Sequence, residues 1–162
     1  MLTLAPFFFL SCGDDDDDKS SNNEISLGSE THKVTLVTIT GTEMDGEGDY
    51  TIILTSTTSD PQKVLSVMLN VSFATANGVS GYYDIDNQDY LLGAISSGYL
   101  YTSIKEEQPE DMDTYFNLTE GTCSIKHNKN KNYTITFDIK PANGERIKGS
   151  YTGDVMGNII KI

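Results

Sequence analysis

"KVLSVMLNVSF", residues 63–73, alternates along its length. Leu65, Val67, Leu69, Val71 and Phe73 fall on one side of an extended chain, and Val64, Ser66, Met68, Asn70 and Ser72 on the other. Side chains of a strand point to opposite faces in turn, so this pattern predicts a strand with one buried and one mixed face. "NYTITFDIK" (132–140) repeats it, setting Tyr133, Ile135, Phe137 and Ile139 against Thr134, Thr136, Asp138 and Lys140. Seven more strands are predicted: "HKVTLVTITG" (32–41), "DYTIILTST" (49–57), "SGYYDID" (80–86), "GYLYTSI" (98–104), "GTCSIKHN" (121–128), "ERIKGSYTG" (145–153) and "NIIKI" (158–162). Their Val, Ile, Thr, Tyr and Phe suit a half-buried pleated surface.

The punctuation between these runs is that of hairpins. Asn143-Gly144, Asp45-Gly46 and Asn77-Gly78 offer pairs that tolerate positive φ, and "HNKNKN" (127–132) links two strands. No 12-residue window carries a helical period, and the best one, "EEQPEDMDTYF" (106–116), is broken by Pro109. Glu106 to Asp113 reads as an acidic loop. The expected fold is all-β, a single antiparallel meander of about 8–10 short strands closing as a barrel-like, lipocalin/calycin-like fold. The alternative is a two-sheet sandwich, because strands with one apolar and one mixed face serve either. Gly149 and Gly153 would mark a bend or bulge where the sheet curls.

Upstream, the chain changes character. "LAPFFFLSC" (4–12) is apolar but too short to span a bilayer as a helix. It suits the apolar region of a secretory signal. "LSCG" (10–13) resembles a bacterial lipobox, with small Ser11 before Cys12, although Leu10 and Phe9 depart from the usual pattern and no Lys or Arg precedes the run. Either the natural start is expected a few residues upstream of Met1, or the chain is trimmed. Asp14, Asp15, Asp16, Asp17 and Asp18 follow, and an acidic run directly behind an acylated cysteine resembles the surface-export signal of Bacteroidetes-type lipoproteins. "YTITFDIKPANGERIKGSYTGDV" (133–155) is similar to the last strands of small β-domains in such lipoproteins, a resemblance that carries no activity with it.

What the resemblance implies is an address. Residues 1–11 would be a lipoprotein signal peptide, and Cys12 would carry fatty chains such as palmitate. Residues 12–30 would form an acidic tether, and 31–162 the all-β domain. One acyl chain holds a protein only marginally, whereas several hold it firmly without a transmembrane helix. The expected location is the outer membrane, lipid-anchored and facing outward, with a periplasm-facing anchor as the alternative. Like charges in the tether repel and keep it extended.

Charge excludes one class of partner. The chain carries a formal net charge of −13, and from Thr31 onward 17 acidic residues face 10 basic ones. Nucleic acid is bound chiefly through Lys and Arg on phosphates, so no nucleic-acid role is expected. One basic cluster, Lys126, His127, Lys129 and Lys131, sits on a predicted turn and reads as a solubilising tip. With Cys12 acylated, Cys123 has no partner for a disulfide, and it reads as a small buried hydrophobe.

Little in the chain suggests catalysis. The only histidines, His32 and His127, lack the spacing of a zinc site and are expected to face solvent. No nucleophile elbow, P-loop or dinucleotide fingerprint occurs, and no enzyme activity is expected. Two acidic loops raise calcium as a candidate cofactor. "DIDNQDY" (84–90) gathers Asp84, Asp86, Asn87 and Asp89 but lacks the sixth-position glycine and the distal glutamate of an EF-hand. "EMDGEGDY" (43–50) spaces Glu43, Asp45, Glu47 and Asp49 by two. The sequons at Asn70, Asn117 and Asn132 read as chance matches.

The tyrosines are unevenly spread. Six of nine, Tyr82, Tyr83, Tyr90, Tyr99, Tyr101 and Tyr115, lie between positions 82 and 115. Tyrosine offers rigid contact area with a hydroxyl handle. Tyr82, Tyr83, Tyr90, Tyr99 and Tyr101 are therefore the candidate ligand-binding set, and the competing reading has them simply lining strands. The expected function is a non-catalytic, membrane-anchored binding module for a glycan or protein ligand. Its rivals are an assembly subunit pairing through a sheet edge and a carrier of small apolar ligands inside a barrel.

Overall fold

A computed structural model of the chain describes residues 23–45, 47–57, 64–74, 78–85, 94–101, 118–142 and 144–162. All regular structure among them is β. The strands are β1 (Glu24–Leu27), β2 (Glu30–Met44), β3 (Glu47–Thr57), β4 (Val64–Ala74), β5 (Gly81–Asp84), β6 (Ala94–Tyr101), β7 (Leu118–Lys129), β8 (Asn132–Pro141), β9 (Ile147–Asp154) and β10 (Ile159–Lys161). They make one sheet in the order β1-β9-β8-β7-β5-β6-β4-β3-β2-β10, and β1 also pairs with β2. That last pairing curls the sheet back on itself. The wall is a nearly closed, lipocalin-like barrel, and the sandwich alternative falls away because no second sheet exists among the described residues.

The order departs from a plain meander at one place. β5 lies beyond β6 rather than before it, yet β5 and β6 run in the same direction and meet at a single pair, Asp84 with Ala94. β5 is hydrogen-bonded to β7 and β6 to β4. The two are thus successive halves of one lane between β4 and β7. Counted by lanes, the up-and-down path is intact.

The seam holds the largest correction to the sequence reading. Residues 24–27, read as tether, are β1, pairing antiparallel with β2 at Glu30–Lys33 and with β9 at Ile147–Ser150. Ile25 has no exposed surface. Just before it, the Asn23 side chain acts as a further strand residue. Its Nδ2 donates to the Thr152 carbonyl at 3.2 Å and its Oδ1 accepts from the Thr152 N–H at 2.7 Å. Farther along β2, the same edge is taken by the chain leaving β9. Met156 bridges Thr38, and β10 pairs in parallel with Gly41, Thr42 and Glu43.

Alternation governs what fills the barrel. Tyr50, Ile52 and Leu54 of β3 are buried, as are Leu65, Val67, Leu69, Val71 and Phe73 of β4 and Tyr133, Ile135, Phe137 and Ile139 of β8. Each fully buried aliphatic or aromatic side chain contributes roughly 1.5–3 kcal/mol. Two glycines make room for rings on neighbouring strands. A Cβ on Gly48 would lie 2.5 Å from Phe73 Cζ, and one on Gly149 would run into the Phe137 ring. The Phe73 ring meets Tyr50 edge to face at 5.0 Å. Among the described residues no buried side-chain polar atom lacks a hydrogen-bond partner.

Candidate binding site at one end of the barrel

The β7–β8 hairpin turns through Asn130, whose φ of +56° supplies the left-handed step of a tight loop. A bulge between His127 and Lys129 adds Asn128 to β7, and such an extra residue re-aims its side chain. Asn128 Nδ2 donates to Asn132 Oδ1 at 2.8 Å and to Thr134 Oγ1 at 3.1 Å. Asn132 Nδ2 in turn donates to Asp154 Oδ1 at 3.0 Å. Thr134 and Thr152 hydroxyls meet at 3.1 Å and carry the row on to β9. Asn128, Lys129, Asn130, Lys131, Asn132 and Asp154 line an open depression of about 580 Å³.

Beside this row, exposed side chains meet buried tyrosines at the rim of the barrel. His127 stacks on Tyr133, ring centres 4.5 Å apart. Its Nε2 lies 2.7 Å from the Asn130 carbonyl. A carbonyl only accepts, so the Nε2 proton sits in this bond. The Ser80 hydroxyl oxygen accepts from the His127 backbone N–H at 2.9 Å. Tyr50 Oη donates to Glu43 Oε2 at 2.9 Å, and Lys161 Nζ stands 3.3 Å from the same oxygen. Burial first, then Glu43, pushes the Tyr50 and Tyr133 phenols up from their ordinary range. Tyr83 is also raised, by burial and then by Cys123, and its hydroxyl donates to the Val79 carbonyl at 2.5 Å. Burial alone pushes the Cys123 thiol up to about 12. In all four, burial in the barrel favours the protonated form.

Of the sequence-derived tyrosines, the two whose side chains are described, Tyr82 and Tyr83, are parted by the fold. Tyr82 is 62% exposed and opposite Ser124, whereas its neighbour Tyr83 is 1% exposed inside the barrel. Adjacent strand residues face opposite ways, so these two cannot share a binding surface. Tyr83 belongs to the core, a correction to the candidate set. Tyr99 and Tyr101 lie on β6 opposite Met68 and Ser66. Tyr90, Cys12, Asp14, Asp15, Asp16, Asp17 and Asp18 lie outside the described residues, as do Asp86, Asn87 and Asp89 of one calcium candidate.

The second calcium candidate is divided by the fold. Glu43 ends on Tyr50 and Lys161, while Asp49 Oδ1 accepts from the Ser72 hydroxyl at 2.5 Å. Among the described residues no three His, Cys, Asp or Glu side chains form a group able to hold a metal ion. Cys123 is buried, as the sequence suggested. His32 is not solvent-facing. Its side chain is 12% exposed, with Nε2 3.4 Å from Glu30 Oε2, because β1 covers that stretch of β2.

Asn128, Asp154 and Tyr50 were not singled out by sequence, and Glu43 and Asn132 were in view as a calcium candidate and a chance sequon. The asparagines of "HNKNKN" were in view as turn formers, but only the bulge and the β8–β9 register place them beside Asp154. Comparison with protein-family models, with curated proteins and with solved structures finds no match to the chain.

Proposed function

We propose that this chain is a non-catalytic recognition module, tethered by lipid on Cys12 to the outer face of a bacterial outer membrane and exported there by its acidic run Asp14–Asp18. The depression on the β7–β8 hairpin carries this reading. It is built of ordered amides and a carboxylate, the groups that recognise hydroxyl-rich ligands such as glycans. The interior favours a surface site over a carrier role, since Ile52, Leu54, Val67, Leu69, Ile135 and Ile139 point into it with no exposed surface. For the address, the support is the lipobox-like "LSCG" and the aspartates behind it.

Two measurements test it. Mass spectrometry of the processed N-terminus should find acyl chains on Cys12, and protease added to intact cells should remove the domain. A protected domain would place the anchor facing the periplasm. A glycan array should show binding that Asn128→Ala/Asn132→Ala abolishes, and silence over the whole array would remove glycans as the ligand class.

A second reading, edge pairing with another copy, has one observation in its favour. Among the described residues β10 is paired on one side only, with Ile160 and Ile162 exposed beside it. Such an edge can accept another strand. Oligomers that grow with concentration in light scattering and vanish in Ile160→Lys would support it.

A further inference from the structure

Resting on that recognition reading, we infer that the depression selects acidic glycans, with Lys129 and Lys131 holding the carboxylate of a uronic acid while the Asn128–Asn132–Asp154 row takes sugar hydroxyls.

The charge distribution sets this tip apart. On a chain of net charge −13, the other cationic groups of the β8–β9 face and of β10 are already engaged. Lys140 and Arg146 pair with Glu120, Arg146 and Lys148 pair with Asp138, and Lys161 pairs with Glu43. Lys126, Lys129 and Lys131 are exposed and form no ion pair among the described residues. Two of them line the depression itself. Three cations against the one carboxylate of Asp154, which lines the same depression, leave this tip of an acidic molecule locally positive, a field that draws anions.

The hydrogen-bonding capacity at the tip matches both halves of a uronic acid. Asn128 spends its Nδ2 on Asn132 and Thr134, and Asn132 spends its Nδ2 on Asp154. Asn128 Oδ1 and Asp154 Oδ2 take no part in these bonds and are left as acceptors, which sugar hydroxyls can satisfy as donors. The lysine ammonium groups bring donors only, the complement of a carboxylate. A neutral sugar would leave the lysines unused, and an inorganic anion would leave the acceptor row unused. The volume, about 580 Å³, suits a short stretch of oligosaccharide.

The test compares tetragalacturonate with its fully methyl-esterified form, which keeps the backbone and loses the charge, by calorimetry on the full chain. The acid should bind and the ester should bind at least roughly tenfold more weakly, as expected for lost charge-assisted bonds. Lys129→Ala/Lys131→Ala should lose affinity for the acid by a similar factor, and Lys129→Arg/Lys131→Arg should keep it within about threefold. Equal binding of acid and ester, or an unchanged alanine variant, overturns the acidic preference and leaves the recognition reading standing. Silence towards both oligosaccharides, with lysine-dependent binding to phosphatidylglycerol vesicles instead, overturns the inference in favour of a lipid headgroup. The recognition reading itself is judged separately by the array, neutral glycans included.

Discussion

Gly149 faces Phe137 across the β8–β9 ladder, and any Cβ there would occupy the volume of the ring. Gly149→Ala should therefore destabilise the barrel by about 1–3 kcal/mol, the usual cost of overpacking, read as a lower midpoint in urea with an unchanged slope. Cys123 and the three core tyrosines make a second prediction at this scale. Each is raised in the fold, so each favours the folded state while protonated. For Cys123 that contribution is whole below its ordinary value of 9.0 and is lost as pH rises towards about 12. Tyr50, Tyr83 and Tyr133 add to the loss in the same direction. Stability should fall as pH rises above 9, and less steeply in Cys123→Ala. Melting curves across that range would check it, and a flat profile would contradict it. In a Cys12→Ser chain, Cys123 should also resist thiol reagents until the protein is unfolded.

At the scale of elements, the seam decides integrity. β1 has only four residues, yet it joins β2 to β9 and buries Ile25 completely. Ile25→Ala should cost roughly 2–4 kcal/mol and should speed amide exchange along β9 and the start of β2 before other strands respond. Uniform exchange over the whole sheet would mean that the seam has no separate weakness. The ion row on the outer face of β7, β8 and β9 is of a different kind. Arg146 holds the Asp138 carboxyl below its usual range, but both side chains are largely in solvent and are screened. Arg146→Ala should leave the melting temperature nearly unchanged.

For the whole molecule, the boundary of the folded unit is testable. A chain beginning at Asn23 should unfold cooperatively with the stability of the full chain. One beginning at Thr31, where period-two alternation first becomes visible, lacks β1 and the Asn23 bridge to Thr152. Its melting temperature should drop by something on the order of 10 °C. Equal stability of the two chains would show that the barrel closes without β1.

Nine strands were legible because alternation is local. "KVLSVMLNVSF" declares its buried face without reference to any other segment, and β4 carries it unchanged. β1 was hidden because "EISL" is four residues in a polar stretch, too few for a period to emerge. Its strand character comes from the two edges it joins. The candidate site was obscured for a related reason. Proximity in sequence suggested a tyrosine cluster at 82–115, but neighbouring strand residues point to opposite faces, which parted Tyr82 from Tyr83. The tyrosines that influence one another, Tyr50, Tyr83 and Tyr133, come from three separate strands. The sequence by itself determined an all-β chain and the inward side of its strands, since side-chain period is a property of the backbone. Only the tertiary structure decided closure, the shared lane of β5 and β6, and the meeting of Asn128, Asn132 and Asp154. Those depend on register between strands distant along the chain, and no local pattern encodes it.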